Sequence, residues 1–318
     1  MADLLTLSDE DLAFFRLTLD LFPAPESPLR FLQDEDREPP DPEAAFTDLE
    51  RRELLNDTSS GAAPHVLERL VPVSECNARV VFRVGSTGEG GARNYYVGDA
   101  RGVEYSCEAD AHRFGPPRSE DELAGELAAA LPSTADIRAR PLSMSAGDYL
   151  VFAVFARDLR AKPVEVPDDD APMSLDEVLS YFDEPESRYV KTPSDESWQR
   201  SVDALRQDGV LVETPGGYEL HPSLHAVARE IVADRQHTVL RFDYLDEHWL
   251  VREISLYPTR DTVYRLGTEA DGSVVIEELS TDALGAAIRA VVGTLPNILA
   301  PDLPPMLTGA AIHARGGL

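Results

Sequence analysis

Three observations in the sequence predict an α+β fold written twice. The segment Leu5-Thr-Leu-Ser-Asp-Glu-Asp-Leu-Ala-Phe-Phe15 returns as Leu142-Ser-Met-Ser-Ala-Gly-Asp-Tyr-Leu-Val-Phe152, with apolar, small and acidic positions in step. Ala78-Arg-Val-Val-Phe-Arg-Val84 is answered by His237-Thr-Val-Leu-Arg-Phe-Asp243, and the helical stripe Leu123, Leu127, Leu131 by Leu284, Ile288, Val292. Along these pairs the offset grows from 137 to 159 to 161 residues, as it does when loops lengthen after a duplication. Each copy reads as helices, then four mainly antiparallel strands, then one helix, and two such copies are expected to pack about a pseudo-twofold axis. The expected units are residues 1–140, residues 141–296, and a Pro- and Gly-rich tail over 297–318.

The first copy opens with a helix. Ser8 and Asp11 stand at capping-box spacing, and Leu12, Phe15 and Leu19 recur at i, i+3 and i+7. The prolines after Phe22 end that helix, because proline lacks the N–H that would continue it. Residues 33–43 read as an acidic extended loop, with helices to follow over 44–55 and 64–70. The period then switches from 3.6 to two. Val80, Phe82 and Val84 share one side of a strand against Arg79 and Arg83, and further strands fall near 95–97, 102–107 and 111–114. Ser119 and Glu122 form a capping box for the closing helix, which stops before Pro132.

The second copy repeats the order. A helix over 147–157 leads into a linker over 161–172, and Ser174 with Glu177 caps a short helix through Phe182. Trp198, Val202 and Leu205 mark the next helix; Leu224, Val227 and Ile231 mark the one after it. Strands follow over 237–244, 248–257, 262–266 and 273–279, the last entered through the Asp271-Gly272 turn. A final helix covers 281–294.

Composition narrows the function classes. The chain has 318 residues, of which 43 % are hydrophobic, enough for a substantial core. No apolar run reaches the roughly 18 residues of a membrane span, and no basic, then apolar, leader opens the chain, so neither membrane insertion nor secretion is expected. Cys76 and Cys107 have no metal-ligand spacing, and such sparse cysteine usage fits a reducing cytoplasm. With 58 acidic against 29 basic residues the formal charge is −29, which repels a phosphate backbone and argues against nucleic-acid binding.

The motifs that carry chemistry elsewhere are incomplete here. His221 and His225 lie at i, i+4 but lack a third and fourth ligand, so a helix-capping role is the simpler account. The glycine-rich run 85–93 joins two strands and lacks the Gly-Lys-Ser/Thr ending of a phosphate loop. There is no Gly-x-Ser-x-Gly elbow, and abundant carboxylates make no single acid–base pair stand out. The sequence therefore nominates no catalytic, cofactor or metal site, and no enzyme is expected. Residues 198–220, a helix followed by a hairpin around Pro215-Gly-Gly217, have the shape of a winged-helix ending; Arg200 and Arg206 sit there among Asp195, Glu196, Asp203 and Asp208, a balance that disfavours DNA. What remains is a set of strand residues able to face a protein partner: Trp249, Val251, Tyr257 and Tyr264 in the second copy, Tyr95 and Tyr96 in the first.

The opening Leu5-Thr-Leu-Ser-Asp-Glu-Asp-Leu helix, the Leu49-Glu-Arg-Arg-Glu-Leu-Leu and Ala204-Leu-Arg-Gln-Asp-Gly-Val-Leu turns, and the serine-initiated helices after each sheet form a recurring pattern. Together with the internal repeat, it resembles the EspG chaperones of type VII secretion over roughly residues 4–296. The resemblance implies a quasi-symmetric, non-catalytic cytoplasmic protein that covers an apolar surface of a secretion substrate until handover. Two other functions fit the same sequence. One is an acidic immunity or inhibitor protein that neutralises a basic toxin or nuclease; the other is a regulator containing a winged helix.

Overall fold

The computed structural model describes residues 4–21, 23–33, 41–56, 61–84, 91–137, 140–161, 195–215, 217–233, 236–245, 248–269 and 271–294. In the first half, β1 (Leu5–Ser8) leads into α1 (Asp9–Leu19), a 3-10 turn (Arg30–Gln33), α2 (Pro42–Arg51) and α3 (Pro64–Ser74). The strands β2 (Ala78–Val84), β3 (Ala92–Gly98), β4 (Arg101–Glu108), β5 (Ala111–Phe114) and β6 (Arg118–Ser119) follow, closed by α4 (Glu120–Ala129). The second half runs through β7 (Leu142–Met144), α5 (Ala146–Ala161), α6 (Asp195–Gln207), the hairpin β8 (Leu211–Thr214) and β9 (Gly217–Leu220), and a 3-10 turn (Pro222–Leu224). It ends with α7 (His225–Val232), β10 (His237–Leu245), β11 (His248–Pro258), β12 (Val263–Thr268), β13 (Val274–Leu279) and α8 (Thr281–Val292). The helix expected from Ser174 to Phe182, and most of the linker before it, lie outside the described residues.

The fold is α+β, as the sequence predicts. One antiparallel sheet runs through both halves in the order β1-β5-β4-β3-β2-β10-β11-β12-β13-β7, with β6 beside β4. Its strand order reads alike from either edge: each half contributes four consecutive strands, and a short strand from its own N-terminus completes the edge. The sequence reading placed Leu5–Ser8 within the opening helix. The structure instead makes it a strand paired with β5, Leu5 opposite Phe114 and Leu7 opposite His112, and its counterpart β7 pairs with β13 in the same way.

The two halves meet at β2 and β10, where Val81 stands opposite Leu240, its equivalent under the 159-residue offset, and Ala78 stands opposite Asp243. Alternation sets the layers. Val80, Phe82, Tyr95, Val97, Val239, Ile254 and Leu256 face α4 and α8, which pack on each other and bury Leu123, Leu127, Leu284 and Ile288. On the opposite side of the sheet, α1 to α3 form a second core over β3 to β5, and α5 to α7 a third over β11 to β13. The close seating of α3 on β3 depends on Gly98, where an added Cβ would stand 3.0 Å from the Pro72 Cα.

Capping occurs where the sequence places it. Ser8 with Asp11 and Ser119 with Glu122 each form a reciprocal capping box. Ser280 caps α8 by accepting the Ala283 amide at 3.2 Å. Ser280→Ala is expected to lower stability by about 1 kcal/mol, read as a shift of the urea midpoint with unchanged slope.

Charge is buried at the seam. Arg241 is 2 % exposed, and its guanidinium bonds Asp243 at 2.7 Å, Glu120 at 2.6 Å and the carbonyl of Val292. Arg252 bonds the other oxygen of Asp243 and the Ala290 carbonyl, both at 3.0 Å. Thr294 donates its backbone N–H to Glu120 Oε2 at 2.8 Å, and its hydroxyl stands 2.6 Å from Glu120 Oε1. Burial pushes the Glu120 carboxyl up, yet these bonds from Thr294 and Arg241 outweigh it and hold the group below its usual range. The start of α4, two strands of the second half and the end of α8 are thereby tied together.

Candidate functional site

Four of the six residues expected to face a partner are interior. Tyr95 is fully buried beneath α4 and α8; Tyr96, at 7 %, packs edge-on to Tyr105 in the first-half core. Tyr257 and Tyr264 belong to the second-half core, and Tyr257 donates to Gln236 Oε1 at 3.1 Å. Both sides of the sheet are covered at these four positions, so an aromatic there is enclosed. Val251 is half-buried. Trp249 lies in β11 opposite Tyr244, and its side chain is outside the described residues.

The residues around Val251 define the candidate surface. On the side of the sheet away from α4 and α8, α3 packs on β3 and β4 while α7 packs on β11. Between these helices run β2 and β10. By strand parity this side carries Arg79, Val81 and Arg83 from β2, and Thr238, Leu240, Phe242 and Tyr244 from β10. Val81 and Leu240 are buried, Phe242, Tyr244 and Arg79 are half-buried, and Arg83 is exposed. The Arg79 guanidinium sits 4.9 Å above the Phe242 ring, a cation–π contact across the seam. What reaches the surface here is half-buried Phe242, Tyr244, Val251 and Arg79 with exposed Arg83, over a buried aliphatic floor of Val81 and Leu240; aromatic and arginine side chains are the types that carry binding energy in protein interfaces. Phe242 and Tyr244 were not among the aromatics singled out in the sequence, which lie on β3, β11 and β12.

The other motifs have local roles. His221 caps the 3-10 turn, its Nδ1 lying 2.7 Å from the Ser223 hydroxyl, and His225 Nε2 lies 3.0 Å from the Leu220 carbonyl. Among the described residues, no three His, Cys, Asp or Glu side chains are grouped to hold a metal ion. Trp198, Val202 and Leu205 of α6 are core residues, and Arg206 is paired with Asp203 at 3.5 Å and Glu213 at 3.4 Å. The helix and hairpin thus pack into the core, with Arg206 engaged by its own acids and Arg200 donating to the Glu196 carbonyl at 3.2 Å. Both cysteines are free thiols; burial, then the Glu26 charge, pushes Cys76 up to about 12. Among the described residues, no helix is long and apolar enough to cross a membrane.

One polar cluster was not visible in sequence. His112, 3 % exposed, has Nε2 at 2.6 Å from Asp9 and Nδ1 at 2.7 Å from the Tyr105 hydroxyl, with Phe31 stacked on the ring. Burial pushes the Tyr105 phenol up, so it stays protonated and donates. The cluster fastens the start of α1 to β4 and β5.

No described protein family and no curated protein matches the sequence. Among solved structures, the fold is similar to the Mycobacterium tuberculosis type VII secretion system chaperone EspG5, determined in complex with a PE25–PPE41 dimer. The match covers 92 % of this chain and 97 % of that one, with a TM-score of 0.50 at 12 % identity. What is shared is an architecture over nearly the whole of both chains.

Proposed function

We propose that this chain is a non-catalytic protein-binding chaperone or adaptor that covers an apolar surface of a client protein in the cytoplasm. The observation that carries this reading is the end-to-end similarity of fold to a chaperone whose solved structure holds its protein partner. A secretion substrate is the client class that follows from that likeness. The contact surface we assign is the seam side of the sheet, with Phe242, Tyr244 and Val251 as anchors and Trp249 two residues along the same strand. A reversible complex there needs an interface of roughly 1,200–2,000 Å² with an apolar centre and a charged rim.

Tagged protein captured from the lysate of its own organism after mild crosslinking is expected to retain a specific polypeptide. Reconstitution with that polypeptide should give a defined stoichiometry, and Val251→Glu should weaken the complex at least tenfold. Recovery of bare protein under these conditions would sink the proposal. The charge of −29 supports one rival, an inhibitor of a basic toxin or nuclease. The two separate by salt. Between 50 and 500 mM NaCl, association with a basic toxin slows by orders of magnitude, whereas an apolar interface changes little.

A further inference from the structure

The two sides of the sheet treat their arginines differently. Under α4 and α8, Arg93 and Arg118 both meet Glu126, and Arg241 and Arg252 both meet Asp243. On the seam side, Arg79 and Arg83 form no ion pair among the described residues. Arg79 is half-buried with its guanidinium over the Phe242 ring. Arg83 is exposed, and its guanidinium has no hydrogen bond among the described residues. The chain holds 58 acidic residues against 29 basic ones, so two cations without a carboxylate on one face of one strand reverse its sign locally.

The register shows where they stand. Val81 and Leu240 form the middle row of the seam, between the rows Arg79–Phe242 and Arg83–Thr238. The carboxylate in these rows is Glu253, opposite Leu240 on β11 and so two strands from the arginines, about 10 Å away across the sheet. It accepts from the Ser255 hydroxyl at 3.3 Å. The seam is therefore apolar along its middle and cationic along its β2 border. From β3, under α3, to β11, under α7, is three inter-strand steps, roughly 14 Å. A helix with its side chains is about 10–12 Å across, so one helix fits this width and two do not.

We propose that the seam receives a single amphipathic helix of the client, with aspartate or glutamate bordering its apolar stripe on the edge that meets β2. This rests on the protein-binding function proposed above and adds the chemistry of the partner. Arg79 and Arg83 lie four residues apart on β2, about 13 Å, so carboxylates about two helical turns apart reach both. The pairing sets the direction in which the helix lies, and it rejects the basic segments that the overall charge of −29 otherwise attracts.

The test uses the full chain and three labelled peptides of about 16 residues, roughly the length of β2 when helical. All carry one leucine stripe, bordered on one edge by Glu, Gln or Lys. Anisotropy titrations at physiological salt are expected to rank them Glu, Gln, Lys from tightest to weakest, with about fivefold or more between first and last. The net charge of the chain alone would give the opposite order. Arg83→Glu, at an exposed position, should leave the urea midpoint unchanged and make the Lys peptide the tightest. Equal binding of all three, the Lys peptide tightest on the natural chain, or a Glu preference that survives Arg83→Glu would overturn the inference and leave the seam standing as a docking surface. Binding of none of them would sink both. Displacement of the Glu peptide by micromolar dodecanoate, or a dimer of the bare chain that excludes it, would give the seam to another occupant and equally overturn the inference.

Discussion

Replacing Arg241 by methionine lowers the free energy of unfolding by about 3–5 kcal/mol at neutral pH, a large fraction of the stability of an ordinary domain. The reason lies in what is left behind. Methionine fills much of the arginine's volume, but Glu120 and Asp243 then stand beneath α4 and α8 with one guanidinium fewer, and the Val292 carbonyl loses its donor. Arg252 still reaches Asp243, which puts the loss toward the lower end of that range. Arg241→Lys should recover part of it, since an ammonium restores the charge without the fork that meets two carboxylates together. The pH dependence is a sharper check. Glu120 is held below its usual value of 4.5 in the folded chain, so its contribution is complete above pH 4.5 and is lost as pH falls through the depressed folded value. Once Glu120 is protonated, removal of Arg241 leaves a smaller uncompensated charge. The gap between the natural protein and the methionine variant, measured by urea unfolding, should therefore narrow below pH 4.5. A gap that stays constant from pH 7 to pH 3 would show that the arginine acts through packing alone.

Local signals in the sequence were sufficient for most elements, and long-range ones were not. The period-two runs at Val80–Phe82 and Val239–Arg241 are strands, the serines at 8, 119 and 280 are caps, and the stripes through Leu123 and Leu284 are the paired helices of one layer. Leu5–Ser8 also alternates, but a four-residue strand is decided by its partner, and β5 lies more than 100 residues downstream. The tyrosines show a second limit. Alternation tells which residues share a side of a strand, not whether helices cover that side, and here both sides of β3 are covered at Tyr95 and Tyr96. Arg241 and Arg252 show a third, because an arginine between apolar residues reads as a solvent face. Only the fold reveals that the glutamate answering Arg241 sits 121 residues away.

The seam makes a second strong prediction, concerning the first half on its own. Residues 1–140 carry β1 to β6 and α1 to α4, and their own core beneath α1 to α3 is complete. The layer under α4 is not. Val80, Phe82, Leu123 and Leu127 pack in one cluster with Val239, Ile254, Leu284 and Ile288 from the second half. Uncovering side chains of this size costs about 1 kcal/mol or more each, on the order of 10 kcal/mol in all, comparable with the whole net stability of a domain. The bared edge of β2 would add a row of unpaired backbone groups. A fragment of residues 1–140 is thus expected either to be insoluble or to pair with a second copy of itself, β2 against β2. The register is available: Val81 already faces Leu240, the position that the 159-residue offset aligns with it, so a homodimer in the same register would place Val81 opposite Val81. Light scattering after size exclusion should give twice the fragment mass, and Val81→Lys, which sets two like charges directly opposite each other, should abolish the dimer. A monomeric fragment that unfolds cooperatively would mean the halves are separable domains. A dimer broken by Val81→Lys would instead support the view that the present chain descends from a symmetric pair.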